Sequence, residues 1–297
     1  MNIYFCKRMA KKTTRTKKKT TRKRHLNRRK NYLLRRVILL TILAIALLGT
    51  GYYLKEKITF YYAMYFKKFE HKKLKNNEYE TNRIKNIIQE YNDKTFGIDI
   101  SHYQRKEDIQ WDSLSIANGA IPIDFVILRS TMGNSSSDKH FDEFWELAKK
   151  HEKIRGAYHF YRPDEDPIQQ ANNFLDNVQL ESGDLPPVLD IEKAPRRKSK
   201  EQLIADLKVW CKIMEEKYGT KPIIYTYYYF YKDHLRGEFD DYPIWLANYN
   251  DVLIPSDKDP WEFWQFSEKG IVHGINTKVD LNVYNDGLWS LKGLTID

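Results

Sequence analysis

The segment that decides the fold is Pro187-Val-Leu-Asp-Ile-Glu192. An apolar run this short, with prolines before and soon after it, is typical of a buried strand. Because side chains alternate along a strand, Asp190 and Glu192 share one face, whereas Leu189 and Ile191 point to the other. The segment therefore predicts a strand whose end carries two carboxylates on the same side.

Seven further apolar runs of similar length occur after Thr95. With residues 188–191, the predicted strands are 96–100, 125–129, 156–160, 223–226, 244–247, 262–266 and 279–281. Helical patterns fall between most of them, at residues 111–118, 141–151, 168–178, 201–218 and 229–235. Strands that alternate with helices favour a parallel sheet with crossover connections. This arrangement predicts an α/β fold, a compact and partly incomplete barrel of the TIM-like (β/α)8 type.

Two other predicted strands carry carboxylates in comparable positions. Asp99 shares a strand face with Ser101, and Asp280 shares a face with Asn282 in the last strand. In barrels of this type the chemistry lies at the C-terminal ends of the strands. Three strands with carboxylates near their ends therefore predict one acidic site, although an Asp at a strand end can also cap the following loop.

An acidic site of this kind suits acid–base chemistry. Burial and repulsion between like charges raise a carboxyl pKa, so one group can stay protonated while its neighbour is ionised. Glycoside hydrolysis uses this division, because an acid protonates the leaving oxygen and a carboxylate stabilises the positive charge that develops on the sugar. The Asp190-x-Glu192 motif alone also fits a structural loop, so both interpretations stay open at this point.

Aromatic residues also gather near the predicted strand ends. Aromatic rings beside acidic groups suit sugars, whose C–H faces are apolar and whose rims carry hydroxyls. The candidates are Tyr158, His159, Tyr161, Tyr225, residues 227–229, Trp245, Tyr249, Trp261, Trp264 and Phe266. Core packing is the competing interpretation for each ring, and we expect it to hold for about half of them.

Other kinds of chemistry find little support in the sequence. It contains no Gly-x-Ser-x-Gly, P-loop or His-Glu-x-x-His motif, and its 8 His residues are scattered. The two cysteines, Cys6 and Cys211, lie on opposite sides of an apolar segment, which rules out a disulfide framework and a cysteine-based zinc site. The sequence predicts no metal and no cofactor.

The net charge of +10 is a sum over two different regions. The first 36 residues hold 16 Lys and Arg and no acidic residue, whereas residues 95–297 hold 24 basic and 34 acidic residues, a net charge of −10. A basic surplus can indicate nucleic acid or an anionic membrane. No aromatic residues that could stack on bases are interleaved with the basic run, which favours a topology signal in contact with anionic lipid. No specific nucleic-acid partner is expected, and a tail whose own function is to bind nucleic acid or lipid is the competing hypothesis.

Residues 37–54 are free of charged side chains. As a helix these 18 residues span roughly 27 Å, close to the thickness of a bilayer's hydrocarbon core. Arg35 and Arg36 precede the run, and Tyr52 and Tyr53 lie at its far end. We interpret the run as an uncleaved signal anchor, with a cleaved signal peptide and a buried core helix as alternatives.

The anchor sets the predicted domain organisation. Residues 1–36 form a basic cytoplasmic tail, and residues 55–94 form a juxtamembrane helical linker. Residues 95–297 then form the extracytoplasmic domain. The expected localisation is a bacterial inner (cytoplasmic) membrane, crossed once.

The folded part of the chain resembles the glycoside hydrolase family 25 lysozymes, the Chalaropsis-type N-acetylmuramidases. The resemblance covers residues 96–284 in ten blocks, whose order and spacing make it specific. They are residues 97–104 (GIDISHYQ), 109–114 (IQWDSL), 124–133 (DFVILRSTMG), 155–163 (RGAYHFYRP), 170–174 (QANNF), 187–192 (PVLDIE), 221–226 (KPIIYT), 243–249 (PIWLANY), 261–266 (WEFWQF) and 279–284 (VDLNVY).

The resemblance implies a flattened, incomplete (β/α)8 barrel that hydrolyses the β-1,4 bond between N-acetylmuramic acid and N-acetylglucosamine in peptidoglycan. Glu192 resembles the family's general acid/base, and Asp190 its partner, which stabilises charge or orients the substrate N-acetyl group. Asp99 and Asp280 resemble the remaining catalytic carboxylates. The family is usually described as retaining, with the N-acetyl group as internal nucleophile. The positions that resemble those lining the sugar subsite are Tyr225, Trp264, Tyr158, Trp245 and Tyr249.

The chain departs from the family pattern in the second strand, where it has Met132 in place of a frequent Glu. The resemblance implies peptidoglycan glycan strands as the partner, and we expect a monomer held to the membrane through residues 37–54. A membrane-anchored module that binds peptidoglycan without cleaving it is the alternative, and the presence of all four carboxylates argues against it.

Overall fold

The computed structural model describes residue 32 and residues 34–52, 78–249, 255 and 259–297. Two compact units divide the chain, Met1–Thr59 and Phe60–Asp297. In the first unit, helix α1 (Leu34–Tyr52) has a mean hydropathy of 1.8 and is long and apolar enough to cross a membrane. It overlaps the predicted anchor, whereas most of the predicted tail and residues 53–77 of the predicted linker region lie outside the described residues.

The second unit contains the other helices and strands. The strands are β1 (Thr95–Ile100), β2 (Ser115–Ile116), β3 (Ile121–Pro122), β4 (Phe125–Met132), β5 (Ser136–Ser137), β6 (Ile154–Phe160), β7 (Val188–Asp190), β8 (Ile223–Tyr227), β9 (Ile244–Ala247), β10 (Phe263–Gly270) and β11 (Val279–Tyr284). The helices are α2 (Glu78–Glu90), α3 (Phe141–Lys150), α4 (Pro167–Asn177), α5 (Lys200–Tyr218), α6 (Tyr228–Phe230) and α7 (Leu288–Leu294).

Eight strands close into a barrel, which confirms the predicted α/β class. Their order around the barrel is β1-β11-β10-β9-β8-β7-β6-β4, and β4 pairs with β1 to complete the ring. Neighbouring strands are parallel except at β11, which is antiparallel to both β10 and β1. The expectation of a wholly parallel sheet is therefore wrong at β11, whose N-terminal end lies at the edge where the other strands have their C-terminal ends.

The outer layer is incomplete, as predicted. Helix α3 follows β4, α4 follows β6 and α5 follows β7, while β8 leads into α6 and a single turn with π-helical hydrogen bonds, Tyr231–Leu235. Local signals fix the helix ends. Asp166 caps α4 by accepting from the N–H groups of Ile168 and Gln169, and Gly219 ends α5 with φ of 70°.

The helix predicted over residues 111–118 is wrong. This segment forms 3₁₀ turns at Trp111–Ser113 and Ala117–Gly119, separated by the short strand β2. Trp111 and Leu114 are both buried, and their spacing of three residues imitates helical periodicity. The chain is instead paired with a distant segment, because Ser115 forms a bridge with His273.

Helix α2, within the predicted linker, packs against β10. The Ser267 hydroxyl donates to a carboxylate oxygen of Glu80 at 2.9 Å, and the Tyr91 ring lies 5.7 Å from that of Trp264, edge to face. The helix therefore covers part of the barrel wall that no helix of the later chain covers among the described residues. The compact unit thus extends N-terminal to the predicted boundary at Thr95.

Residue alternation separates two apolar layers. Residues that face outward from the strands, such as Ile98, Leu189 and Phe266, belong to the main core beneath the helices. Residues that face inward, such as Phe125 and Val188, form a second cluster inside the barrel, which Leu291 of α7 joins. Apolar packing in one part of the barrel leaves its opposite end available for polar side chains.

Candidate active site

A cleft of about 550 Å³ opens at the C-terminal ends of the parallel strands. Its lining combines carboxylates, aromatic rings and amides from nearly every barrel strand. The lining residues are Asp99, Ser101, Tyr103, Gln104, Arg129, Met132, Tyr158, Phe160, Asp190, Glu192, Tyr225, Tyr227, Trp245, Tyr249, Gln265, Glu268, Lys278 and Asp280. All four predicted catalytic carboxylates are among them.

Asp99 lies at the centre of a hydrogen-bond network. Its Oδ2 atom accepts from the amide of Gln265 at 2.7 Å and from the amide of Asn282 at 2.7 Å. Burial raises the pKa of Asp99, and these two donors together with Asp280 act against the rise. The donors favour the ionised carboxylate, so Asp99 is the member of the cluster best prepared to carry negative charge.

Asp280 is the protonated partner of Asp99. The two residues face each other across the antiparallel pair β1–β11, and their side chains are hydrogen-bonded. Burial and the charge of Asp99 raise the pKa of Asp280 to about 9. A pKa of about 9 favours the protonated form of Asp280 at neutral pH, and in this form its carboxyl O–H can donate a hydrogen bond to the Asp99 carboxylate.

Asp190 and Glu192 share the inner face of the β7 end, as the alternation predicts. Burial raises the pKa of Asp190 well above its usual range, and repulsion by Glu192 and Asp99 adds to the rise. Its Oδ1 atom is buried and accepts no hydrogen bond from the described residues. A buried carboxylate oxygen without a donor is costly, so this atom is ready to accept a hydrogen bond from a bound molecule.

Glu192 is less enclosed than Asp190 and lies on the open side of the cleft. Burial raises its pKa, whereas the charge of Lys193 and a hydrogen bond from Tyr227 lower it. The net direction is upward, which increases the fraction of Glu192 that is protonated near neutral pH. A partly exposed carboxyl with a raised pKa has the properties of a general acid.

Gln265 links the aromatic wall to the carboxylates. Its Oε1 atom accepts from the hydroxyl of Tyr225 at 2.8 Å and also from the hydroxyl of Tyr249. Since its oxygen is occupied by two hydroxyls, its NH₂ group points to Asp99. Trp245 has the same effect on Asn282, the second amide donor to Asp99. Its indole N–H donates to the side-chain oxygen of Asn282 at 2.9 Å, so the NH₂ group of Asn282 points to Asp99.

The aromatic rings form one wall of the cleft. The rings of Tyr225 and Trp245 meet edge to face with centroids 4.6 Å apart, and those of Tyr227 and Tyr249 meet in the same manner at 6.3 Å. Tyr158 lies on β6, two strands from Tyr225, where burial and the charge of Asp99 raise the pKa of its hydroxyl well above the usual value. The neutral Tyr158 hydroxyl can donate a hydrogen bond to a ligand, whereas the protons of Tyr225 and Tyr249 are given to Gln265 and their oxygens can only accept from one.

Arg129 supplies positive charge on the β4 side. Its Nε atom donates to Asp138 at 2.9 Å, and its guanidinium also contacts the ring of His102. This charge acts against the rise in the pKa of Asp190. Arg129 therefore moderates the acidic cluster while its own position is fixed by Asp138.

Trp264, which the family resemblance assigns to the sugar subsite, lies elsewhere. It is on the outer face of β10, and its indole N–H donates to the carbonyl of Asn248 at 3.1 Å. Its neighbour Gln265 takes the inward position, because adjacent residues of a strand point to opposite sides. Tyr158, Tyr225, Trp245 and Tyr249 do line the cleft.

Sequence reasoning missed several residues of the cleft. Gln265 is the most informative, since a Gln between Trp264 and Phe266 in a buried strand needs hydrogen-bond partners, and that need was a usable signal. Arg129, Tyr103, Glu268 and Lys278 gave no comparable signal before the fold was known. Among the described residues, no group of three or more His, Cys, Asp or Glu side chains is placed to hold a metal ion.

An α/β barrel with acid–base carboxylates at its strand ends, beside aromatic rings, has the features of the glycoside hydrolase class. The chain belongs to glycosyl hydrolases family 25, which its residues 98–275 match. It is therefore a glycoside hydrolase by family.

Known proteins and structures agree with this assignment. The chain is 38% identical over 190 residues to the uncharacterized protein YegX of Escherichia coli K12, covering 64% of this chain and 69% of that protein. It is 31% identical over 203 residues to lysozyme M1 of Streptomyces globisporus, covering 64% and 67%. The solved family 25 glycosyl hydrolase of Bacillus anthracis superposes with a TM-score of 0.61 and 27% identity, over 69% of this chain and 95% of that one.

Proposed function

We propose that the chain is a muramidase, which hydrolyses the β-1,4 bond between N-acetylmuramic acid and N-acetylglucosamine in peptidoglycan. The observation that carries this proposal is the convergence of Asp99, Asp190, Glu192 and Asp280 in one cleft with an aromatic wall. Membership of the family and similarity to proteins named lysozymes support the choice of substrate.

Glu192 is the proposed general acid/base. Its raised pKa and its position on the open side of the cleft suit transfer of a proton to the oxygen between the two sugars. After the bond breaks, the same group in its ionised form can take a proton from the attacking water. Tyr227, hydrogen-bonded to Glu192, holds the carboxyl in place between the two steps.

Asp190 is proposed to orient the substrate's N-acetyl group. Its unpaired Oδ1 atom can accept the amide N–H of that group, which would direct the acetyl oxygen toward the sugar carbon that loses its leaving group. A donated N–H also favours ionisation, so substrate binding lowers the pKa that burial has raised. The negative charge then lies beside the positive charge that develops on the sugar, and the internal nucleophile gives a retaining reaction.

The Asp99–Asp280 pair is proposed to hold the cleft's remaining negative charge in place. Because Asp280 keeps its proton and donates it in a hydrogen bond to Asp99, the cleft does not hold four adjacent carboxylate charges. The shared charge can stabilise the positively charged transition state without acting as a base itself.

The test is hydrolysis of purified peptidoglycan by the wild-type chain and by Glu192→Gln. The variant keeps the size of the side chain but cannot transfer a proton, so we expect a loss of activity of about 10²–10⁴-fold. Lys212→Gln, on the exposed surface of α5, is the matched control and should keep wild-type activity. Equal activity of wild type and Glu192→Gln would contradict the catalytic assignment, and wall binding without release of reducing ends would indicate a binding module instead.

The identity of the products tests the bond that is cleaved. Mass spectrometry of the released fragments should show muramic acid at the reducing end. Glucosamine at the reducing end would exclude muramidase action even if the wall is degraded.

We further propose that α1 anchors the enzyme in a membrane with the catalytic domain on the extracytoplasmic side. The apolar length of Leu34–Tyr52 and the 16 basic residues before position 37 support this orientation. The enzyme would then act on the peptidoglycan nearest to the membrane.

A further inference from the structure

The loop between β7 and α5 carries a concentration of positive charge in an acidic domain. Five of the 24 basic residues after position 94 lie within residues 193–200. The loop begins directly after Glu192, at the same edge of the barrel as the cleft. Lys193, Arg196 and Arg197 are exposed there.

These three side chains differ from the neighbouring basic residues. Arg162 pairs with Glu165 at 3.1 Å, and Lys198 pairs with Asp206 at 2.7 Å. Among the described residues, the side chains of Lys193, Arg196 and Arg197 form no ion pair within 4.0 Å. Their charges are thus available to a ligand.

Asp164 holds this part of the loop in one position. It lies in the connection between β6 and α4, and its carboxylate accepts from the backbone N–H of Arg196 at 3.0 Å and of Arg197 at 2.9 Å. These bonds lower the pKa of Asp164. Because the carboxylate binds the backbone, both guanidinium groups are left to project from a fixed loop.

Lys193 places the first of these charges beside the reacting groups. Lys193 follows Glu192 directly in the chain and is exposed at the same edge of the barrel, and its charge lowers the pKa of both Glu192 and Asp190. The positive surface therefore begins at the point where, under the proposed function, the muramic acid ring is cleaved. A glycan strand without peptides offers it only the lactyl carboxylate of muramic acid, whereas an attached peptide converts that group to an amide and carries its own carboxylates farther from the ring.

We propose that Lys193, Arg196 and Arg197 form a subsite for the carboxylates of the peptide that muramic acid carries on its lactyl group. The proposal rests on the muramidase function, because the ring cleaved next to Glu192 is the ring that bears this peptide. The subsite makes the enzyme prefer glycan strands that still carry acidic peptides. The loop thus adds a requirement on the substrate beyond the two sugars.

The test compares three glycan substrates with the full chain in detergent: strands with peptides, strands stripped of peptides by an amidase, and strands whose peptide carboxylates are converted to amides. Two exposed ionic contacts support a preference of about fivefold in kcat/KM for the free acids over the amidated peptides. The stripped strands keep a lactyl carboxylate on each muramic acid ring, and cleavage of them as fast as of the acidic peptide strands would overturn a subsite for the peptide. The preference should fall as salt concentration rises. In the double variant Arg196→Gln/Arg197→Gln, the ratio should fall to about 1.

A charge-matched control separates this subsite from general attraction. The double variant Lys212→Gln/Lys217→Gln removes the same charge from the far half of α5 and should keep the wild-type ratio.

Asp164→Ala makes the protein more positive but releases the loop. General attraction predicts a higher ratio for Asp164→Ala, whereas a positioned subsite predicts a ratio at least about twofold lower.

The possible outcomes are distinct. Equal rates of the wild type on acidic and amidated peptides would overturn the subsite, as would a preference that follows phosphate polymers in the wall instead of peptide carboxylates. Failure of the wild type to cleave any of the three substrates would overturn the muramidase function itself.

Discussion

Asp99 is a buried carboxyl group, and burial disfavours its ionised form. It is only 7% exposed, yet it accepts hydrogen bonds from the side chains of three other residues on two neighbouring strands, β10 and β11. Charge-assisted hydrogen bonds of this kind are stronger than neutral ones and offset part of the cost of burial. The arrangement concentrates one negative charge at a fixed point of the cleft.

Asp280→Asn tests the protonated state of Asp280. The folded pKa of Asp280 is about 9 against an ordinary value of 3.8, so between these values the folded protein holds a proton that the unfolded chain has lost. Stability from this group is therefore complete below about pH 4 and is lost as pH rises toward 9, with a slope of at most about 1.4 kcal/mol per pH unit. The Asn amide stays neutral throughout and can still donate to Asp99.

We expect the free energy of unfolding of Asp280→Asn to depend less on pH than that of the wild type. Urea unfolding at pH 5, 7 and 9 measures both slopes, and the wild type should lose stability relative to the variant as pH rises. Parallel curves would show that Asp280 is already ionised in the folded protein.

Gln265→Leu tests the amide that joins the aromatic wall to Asp99. It removes one donor to a buried carboxylate and leaves the hydroxyls of Tyr225 and Tyr249 without their acceptor. Loss of a hydrogen bond to a charged group costs about 1.5–3 kcal/mol, so we expect the free energy of unfolding to fall by at least that amount, together with activity.

Tyr225→Phe is the control for this substitution. It removes one of the two hydroxyls at Gln265 but leaves the bond from the amide to Asp99, so a loss of about 1 kcal/mol is expected. Chemical unfolding of the two variants distinguishes them. If both lose the same stability, the contact between Gln265 and Asp99 contributes nothing of its own.

Sequence reasoning identified the four carboxylates because each breaks the apolar pattern of a buried strand. The family resemblance assigned Trp264 to the cleft, which Trp264 does not line, and the hydrophobic pattern gave no correction because both faces of β10 are buried. Tyr91, just after α2, packs against Trp264 on the outer face, while Gln265 bonds Asp99 on the inner face. That Gln265 and Asn282 donate to Asp99 could not be read from the sequence, because both are more than 160 residues away from it.

At the scale of elements, β11 determines whether the site can form. Asp280 is the second residue of this strand, so in a parallel strand it would lie at the end of the barrel away from the cleft. The antiparallel direction brings it opposite Asp99. The sequence pattern predicts a strand at residues 279–281 but not its direction. The direction of a strand depends on how the preceding connection is folded, and side-chain alternation is the same for both directions.

The positions of the strands were predictable and those of the short connections were not. Each of the eight predicted apolar runs overlaps a barrel strand, because burial on both faces produces a continuous apolar signal. The segment after β1 forms turns, and its Ser115 forms a bridge to His273, 158 positions later in the chain. A periodic pattern within one segment cannot predict a contact with so distant a residue. Helix α2 was assigned to a linker for the same reason.

Gly97→Ala tests how closely β1 fits the barrel interior. A Cβ at this position would overlap the ring of Phe125 on β4, the parallel neighbour of β1. We expect a loss of about 1–3 kcal/mol in the free energy of unfolding and a reduced activity, because Asp99 lies on the same face two residues later.

Gly293→Ala is the control for this substitution. It lies in α7, where an added Cβ meets no atom within 4 Å, so the variant should be unchanged or more stable by up to about 1 kcal/mol. Thermal unfolding of both variants gives the comparison. A Gly97→Ala protein as stable as the wild type would show that the Phe125 ring can move aside.

At the scale of the whole molecule, charge is divided between two regions with different roles. The first 36 residues hold 16 basic and no acidic residues, and the region after position 94 has an acidic excess that includes the cleft. The average charge of the chain therefore describes neither region, and the sequence has to be divided at the apolar helix before its charge can predict a partner.

The anchor proposal predicts how two forms of the protein fractionate. The full chain should sediment with membranes and require detergent for release, whereas residues 78–297 should be soluble and retain activity. In spheroplasts that express the full chain, external protease should digest the catalytic domain. Protection of that domain until the membrane is permeabilised would contradict the proposed orientation, and a full chain that stays soluble would contradict the anchor.

If the protein is anchored through α1, as proposed, the pairing of β1 has a mechanical consequence. The chain enters the barrel at Thr95, and β1 is hydrogen-bonded along its length to β4 on one side and β11 on the other. A pulling force at Thr95 acts along the strand axis and loads both ladders in shear, so several hydrogen bonds must break together instead of one after another. Once α2 has detached from β10, the first barrel strand can thus bear tension, and the strand under load is the one that carries Asp99.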